Sequence, residues 1–174
     1  MFPKHKAPPP PQRAGFRVRA AAYLIDAIPI GVLTALVFYL FLGFDATLAA
    51  RMDHPEDTDA RIRFLIERQH IRDASILLFL VYGILMEASA LQGTFGKLAM
   101  GLRVVNPEGG RLSLGQAIKR NLGKLLSHLP FGLGLLWAAR SKEARTWHDM
   151  MSKCVVIEVP RESRGALAPG EVPR

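Results

Sequence analysis

Two carboxylic acids lie inside long apolar runs of this sequence, where an ionisable side chain is costly. Asp26 is the only charged residue between positions 20 and 44, and Glu87 lies near the end of the apolar run 74–91. A charge at the centre of a bilayer costs about 2.5–3.5 kcal/mol on insertion scales unless it finds a partner or water. Such carboxyl groups can exchange protons and cations, or they can form buried polar contacts that hold helices together.

The partners of these acids are the first question that the spacing raises. Arg19 and Asp26 are seven residues apart, so they share one helix face but lie roughly 10 Å apart along the axis. Each therefore needs a partner from elsewhere in the chain. We expect Glu87, near the end of the second run, to form an ion pair with Arg19. For Asp26, structural bonding between helices and a proton or cation site both stay open.

The apolar runs predict helices that cross a membrane. Residues 20–44 are long enough for a bilayer core about 30 Å thick. We expect a first helix over residues 16–44, kinked at Pro29, and an interfacial helix that starts near Thr58 and runs into a second span over residues 74–91. Hydrophobic residues make up 49% of the chain and charged residues 22%. Because the apolar runs contain almost no charges, the charged residues are concentrated between them.

A third apolar run, residues 125–139, is shorter than the roughly 20 residues a spanning helix needs, and Pro130 interrupts it. Two short β-branched runs, residues 102–105 and 154–159, can pair only if they lie on one side of the membrane. We therefore predict an all-α membrane protein with two transmembrane helices, a third short kinked segment that is re-entrant or spanning, and a small cytoplasmic β-hairpin-like element. A re-entrant segment is favoured over a third span.

The distribution of basic residues predicts the orientation. No acid precedes residue 20, basic residues dominate 92–124, and the connection 45–73 is net acidic. The positive-inside rule then places the N-terminus and the segment after the second span in the cytoplasm. The net charge of +8 would suggest nucleic acid in a soluble chain. Because these charges flank apolar runs, the bilayer and its anionic headgroups are the expected partners, and nucleic acid is not.

Several chemistries receive no support from the residue pattern. The single cysteine, Cys154, excludes an intrachain disulfide or a multi-cysteine metal site. His148 and Asp149 have no second histidine at ligand spacing, and no nucleophile motif accompanies them. The turn 92–97 lacks the spacing of a phosphate loop, so Lys97 is expected to face headgroups. We predict no cofactor, no metal and no enzymatic activity.

The order of several motifs resembles the RDD family, which is named for one arginine and two aspartates in its hydrophobic segments. The motifs are Arg19, Ala22-Tyr-Leu-Ile-Asp26, Glu87, Thr94-Phe-Gly-Lys-Leu-Ala-Met-Gly-Leu-Arg-Val-Val105, Leu112-Ser-Leu114, Arg120-Asn121 and Trp147-His-Asp149. The resemblance makes Arg19, Asp26 and Asp149 the naming positions. The supporting polar residues that we single out are Glu87, Lys97, Arg120 and His148.

The resemblance covers residues 15–159, between a Pro-rich tail (1–14) and a C-terminal tail (160–174) that we expect to be disordered. It implies a multi-pass protein of the cell membrane, such as a bacterial inner membrane. Some family members are proposed to exchange monovalent cations for protons. Two spans cannot enclose an ion path alone, so a transport component must be oligomeric. The alternative is a non-catalytic assembly or adaptor protein whose polar cluster supports a cytoplasmic platform for a membrane-protein partner.

Overall fold

The computed structural model describes residues 12–128 and 154–159, and helices dominate this part of the chain. The helices are α1 (Phe16–Phe41), α2 (Phe44–Asp53), α3 (Thr58–Ala88), α4 (Phe95–Ala99) and α5 (Leu114–His128). The strands are β1 (Gln12–Arg13), β2 (Leu102–Val105) and β3 (Val155–Glu158). The chain divides into a first unit, Met1–Leu24 with Tyr82–Arg174, and a second unit, Ile25–Val81.

Helix α1 is, among the described residues, the one helix long and apolar enough to cross a membrane. Pro29 lies inside it without ending it. The helix stops at Phe41, three residues before the predicted end, because Gly43 adopts a left-handed conformation with φ +79°. Glycine takes this conformation without steric cost and commonly ends a helix. Many of its large apolar side chains are exposed in the isolated chain, as expected for a helix solvated by lipid.

The second unit contains one helix more than the sequence predicts. Helix α2 lies in the polar connection, and the ring of Phe44 at its start stacks on Phe64 of α3 with centroids 5.9 Å apart. Helix α3 begins after Asp57, whose carboxylate accepts a hydrogen bond from the Asp59 backbone N–H at 2.9 Å. It then continues for 31 residues, so the predicted interfacial helix and the second apolar run form one helix.

A three-stranded antiparallel sheet in the order β1-β3-β2 forms the centre of the first unit. Leu102 pairs in register with Glu158, and Val105 with Val155. Leu102, Val104 and Val156 are buried together with small side chains from neighbouring segments. The two β-branched runs of the sequence therefore pair, but a third strand makes them part of a sheet and not of a simple hairpin.

Strand β1 corrects the predicted boundary of the N-terminal tail at residue 14. Gln12 and Arg13 pair with β3, and the backbone N–H of the fully buried Ala14 donates to the Val156 carbonyl at 3.0 Å. Residues 8–11 are prolines, which have no N–H group to donate, whereas Gln12 and Arg13 can enter a ladder. The remaining parts of both predicted tails, residues 1–11 and 160–174, lie outside the described residues.

Helix α5 starts with a reciprocal cap. The backbone N–H of Gln116 donates to the Ser113 hydroxyl at 3.2 Å, and the Gln116 side chain accepts from the Ser113 N–H at 2.9 Å. This arrangement satisfies two donors that would otherwise lack a partner at the helix start. The helix extends into the third apolar run as far as His128. Residues 129–153 lie outside the described part, so the re-entrant or spanning character of this run stays a prediction.

Candidate functional site: a buried carboxylate cluster

Glu87, in the last turn of α3, is fully buried and has several polar partners. Its carboxylate accepts hydrogen bonds from the ammonium groups of Lys97 and of Lys124, the latter at 2.9 Å. Asn121 Nδ2 donates to it at 3.0 Å and Arg120 Nη1 at 3.5 Å. We call these five residues the Glu87 cluster.

Three helices contribute to the Glu87 cluster. Lys97 comes from α4, ten residues after Glu87, and the other three partners come from α5. Asn121 links the α5 residues, because its Oδ1 accepts from Lys124 Nζ at 2.7 Å and its Nδ2 also donates to the Ala117 carbonyl at 2.9 Å. One carboxylate in the last turn of α3 therefore binds α4 and the middle of α5 to that helix.

Close packing of α5 on α3 requires a glycine. A Cβ atom at Gly83, one helical turn before Glu87, would lie 2.6 Å from Asn121 Oδ1. The Asn121 side chain is 1% exposed and held by three hydrogen bonds, so it cannot move aside without breaking the cluster. Gly83 thus permits the approach that brings Asn121 to the carboxylate.

The turn after α3 connects the cluster to the sheet. Gln92 has a positive φ of 56°, its carbonyl accepts from the Val104 N–H at 2.7 Å, and its Oε1 accepts from Arg103 Nη1 at 3.4 Å. The start of α4 is capped from α3, because the Phe95 N–H donates to the Tyr82 hydroxyl at 2.7 Å. The buried Thr94 hydroxyl makes no side-chain cap, and its oxygen has no hydrogen-bond partner within residues 12–128 and 154–159.

The electrostatic balance of the cluster is positive among the described residues, with three cations around one carboxylate. Burial, reinforced by repulsion from Lys97 and Arg120, lowers the pKa of Lys124 to about 7, against the attraction of Glu87. Removing one partner of a buried ion pair typically costs about 3–5 kcal/mol, since the other charge is left uncompensated. The arrangement is therefore suited to locking helices in place. It presents no nucleophile paired with a base.

The structure changes two of the predicted assignments. The expected Glu87–Arg19 ion pair is wrong, because cations from α4 and α5 already occupy the carboxylate. Lys97 does not face headgroups; its side chain is 13% exposed and directed to Glu87. Lys97 is only ten residues from Glu87 along the chain, and the tight turn before α4 brings its ammonium group to the carboxylate.

The remaining predicted residues have different positions. Arg120 joins the Glu87 cluster, whereas Arg19 and Asp26 belong to α1, where Asp26 is 6% exposed. Asp149 and His148 lie outside the described residues. Within residues 12–128 and 154–159, no group of three His, Cys, Asp or Glu side chains could hold a metal ion. Sequence reasoning missed Lys124, although its spacing of four from Arg120 places both on one helix face.

Comparison with known proteins assigns the family. A model of the RDD family matches residues 13–153, which include the whole Glu87 cluster. The chain belongs to the RDD family. This RDD membrane protein is 31% identical over 146 residues to the uncharacterized protein YxaI of Bacillus subtilis (strain 168), which covers 83% of this chain and 96% of that relative. No solved structure matches the RDD protein.

Substitution of Gly83 by alanine tests the packing of the cluster. We expect Gly83→Ala to lower the free energy of unfolding in detergent by about 1–3 kcal/mol, because the added methyl displaces Asn121. Gly115→Ala is the matched control, since a Cβ at this α5 glycine would meet nothing within 4 Å. The control should be neutral or stabilising by up to about 1 kcal/mol. Equal effects of the two variants would contradict the packing argument.

Proposed function

We propose that this RDD protein is a non-catalytic membrane assembly protein, in which the Glu87 cluster fixes a cytoplasmic sheet as a platform for a membrane-protein partner or a second copy. The observation that supports this most directly is the saturation of Glu87 by cations of two helices. A transport acid must exchange its partner for a proton or a cation. Here any such exchange would have to displace amino groups and an amide that also hold the fold together.

The sheet supports a topology with two spans. Strand β1 lies directly before α1, and β2 follows α3, yet both strands pair with β3 in one sheet. If α1 crosses the membrane, the chain must cross back before β2. We assign this return to α3, whose apolar residues 74–88 follow the charged pair Arg72 and Asp73. This segment is shorter than α1 and does not meet by itself the length and composition of a span, so the assignment rests on the pairing of the strands.

The same argument supports a re-entrant third segment. Strands β2 and β3 are neighbours in the sheet, so an even number of crossings separates residues 105 and 155. A single passage through residues 125–139 would place the strands on opposite sides. With basic residues concentrated before α1 and between residues 92 and 124, the positive-inside rule orients the sheet toward the cytoplasm of a cell membrane.

A second candidate function is exchange of monovalent cations for protons in an oligomer. Its specific support is Asp26, which is 6% exposed in the apolar helix α1. Ionisable residues at this depth commonly mark proton or ion pathways. Asp26 is equally suited to a structural contact between helices. The saturated Glu87 cluster favours this structural function over transport.

Labelling of single cysteines tests the proposed topology in a Cys154→Ser background. Asp57 and Glu108 are both exposed. A membrane-impermeant maleimide applied to intact cells should modify Asp57→Cys, and it should modify Glu108→Cys only after the membrane is permeabilised. Modification of both positions in intact cells would show that the sheet side of the protein is not cytoplasmic, and would contradict the topology.

Ion flux into proteoliposomes tests the proposed function against the second candidate. We expect the purified protein to give no sodium, potassium or proton flux above that of empty liposomes, because Glu87 is committed to structural ion pairs. A flux that is lost in Asp26→Asn would overturn the proposal and establish the transport alternative. Asp73→Asn is the matched control, since the Asp73 side chain is 57% exposed near the middle of α3 and should leave any such flux intact.

A further inference from the structure

Helix α5 has the reverse of the polarity expected for a helix of a water-soluble protein. Its buried face, which packs against the rest of the first unit, carries polar or small side chains: Ala117, Arg120 and Asn121 are each at most 2% exposed. The opposite face carries Leu114, Ile118 and Leu122, which are 56%, 37% and 49% exposed. These three residues recur every four positions and so form one apolar stripe along the helix, roughly 12 Å long.

We propose that this stripe lies in the boundary between headgroups and acyl chains of a phospholipid bilayer. Exposing it to water would forgo the burial of apolar surface that stabilises amphipathic helices. The stripe is bordered by basic residues: Lys119 follows Ile118, Arg111 lies three residues before Leu114, and both are exposed. Such side chains extend their charged ends toward lipid phosphates while their aliphatic stems cover apolar surface.

Contacts within the first unit place α5 at the correct depth. Arg111 Nη2 donates to the carbonyl of Ala88, the last residue of α3, at 3.1 Å. Glu87, one residue earlier, is bonded to side chains of α5. The end of the apolar part of α3 is where that helix leaves the hydrocarbon, so α5 lies beside the membrane surface. This step rests on the proposed crossing by α3.

Environment-sensitive labels on single cysteines test the inference in the full chain with Cys154→Ser. Ile118→Cys and Leu122→Cys are labelled with a nitrobenzoxadiazole probe, and the protein is reconstituted in nanodiscs of phosphatidylglycerol and phosphatidylethanolamine. Leu77→Cys on α3, where Leu77 is 61% exposed, is the lipid reference, and Glu108→Cys in the turn before α5 is the aqueous reference.

We expect spin-labelled lipid to quench the probes at positions 118 and 122 at least about three-fold more strongly than the probe at 108. Aqueous iodide should show the reverse order. Iodide quenching at 118 and 122 equal to that at 108 would overturn the inference. Protection from both quenchers would overturn it in favour of a protein surface, such as a second copy. A lipid-quenched probe at 77 in either case would show that the crossing by α3 stands while the placement of α5 fails.

Discussion

The buried carboxylate of Glu87 is the interaction on which the first unit depends. A charge at the end of an apolar helix is too costly to leave without partners, and the chain supplies three cations and an amide from the two helices that follow. Because the partners come from α4 and α5, satisfying this one group also fixes where both helices pack against the end of α3. The turn at Gln92 then links the end of α3 to β2, because the Gln92 carbonyl accepts a hydrogen bond from the Val104 N–H.

The reversed polarity of α5 follows from this constraint. Its Arg120, Asn121 and Lys124 must point inward to reach the carboxylate. Leu114, Ile118 and Leu122 therefore lie on the exposed face. In water this would be an unfavourable helix, whereas beside a bilayer both faces are satisfied. Membrane association and the buried cluster are thus two consequences of one pattern.

Parts of the fold and of the site could be predicted from the sequence. The apolar run after Phe16 predicted α1, and the β-branched runs predicted β2 and β3, because composition and periodicity depend directly on local structure. Glu87 could be recognised because an acid in an apolar run is unusual. Its partners could not be predicted, because sequence spacing shows which residues share a helix face but not which other helix packs against that face. Strand β1 could not be predicted either, because two residues are too few for a recognisable sequence pattern and the strand is defined by its pairing with β3.

The most direct test of the account is the free energy of unfolding, in detergent, of Glu87→Gln. Loss of the carboxylate removes the ion-pair partner that Lys97, Arg120 and Lys124 share in a buried site, so we expect destabilisation of about 3–5 kcal/mol. Adding Lys97→Met should restore part of this loss, because it removes a largely buried ammonium group whose carboxylate partner is gone. The control Asp73→Asn, at an exposed acid of α3, should stay within about 0.5 kcal/mol of the wild type. A Glu87→Gln protein as stable as the control would contradict the claim that this carboxylate holds the three helices together.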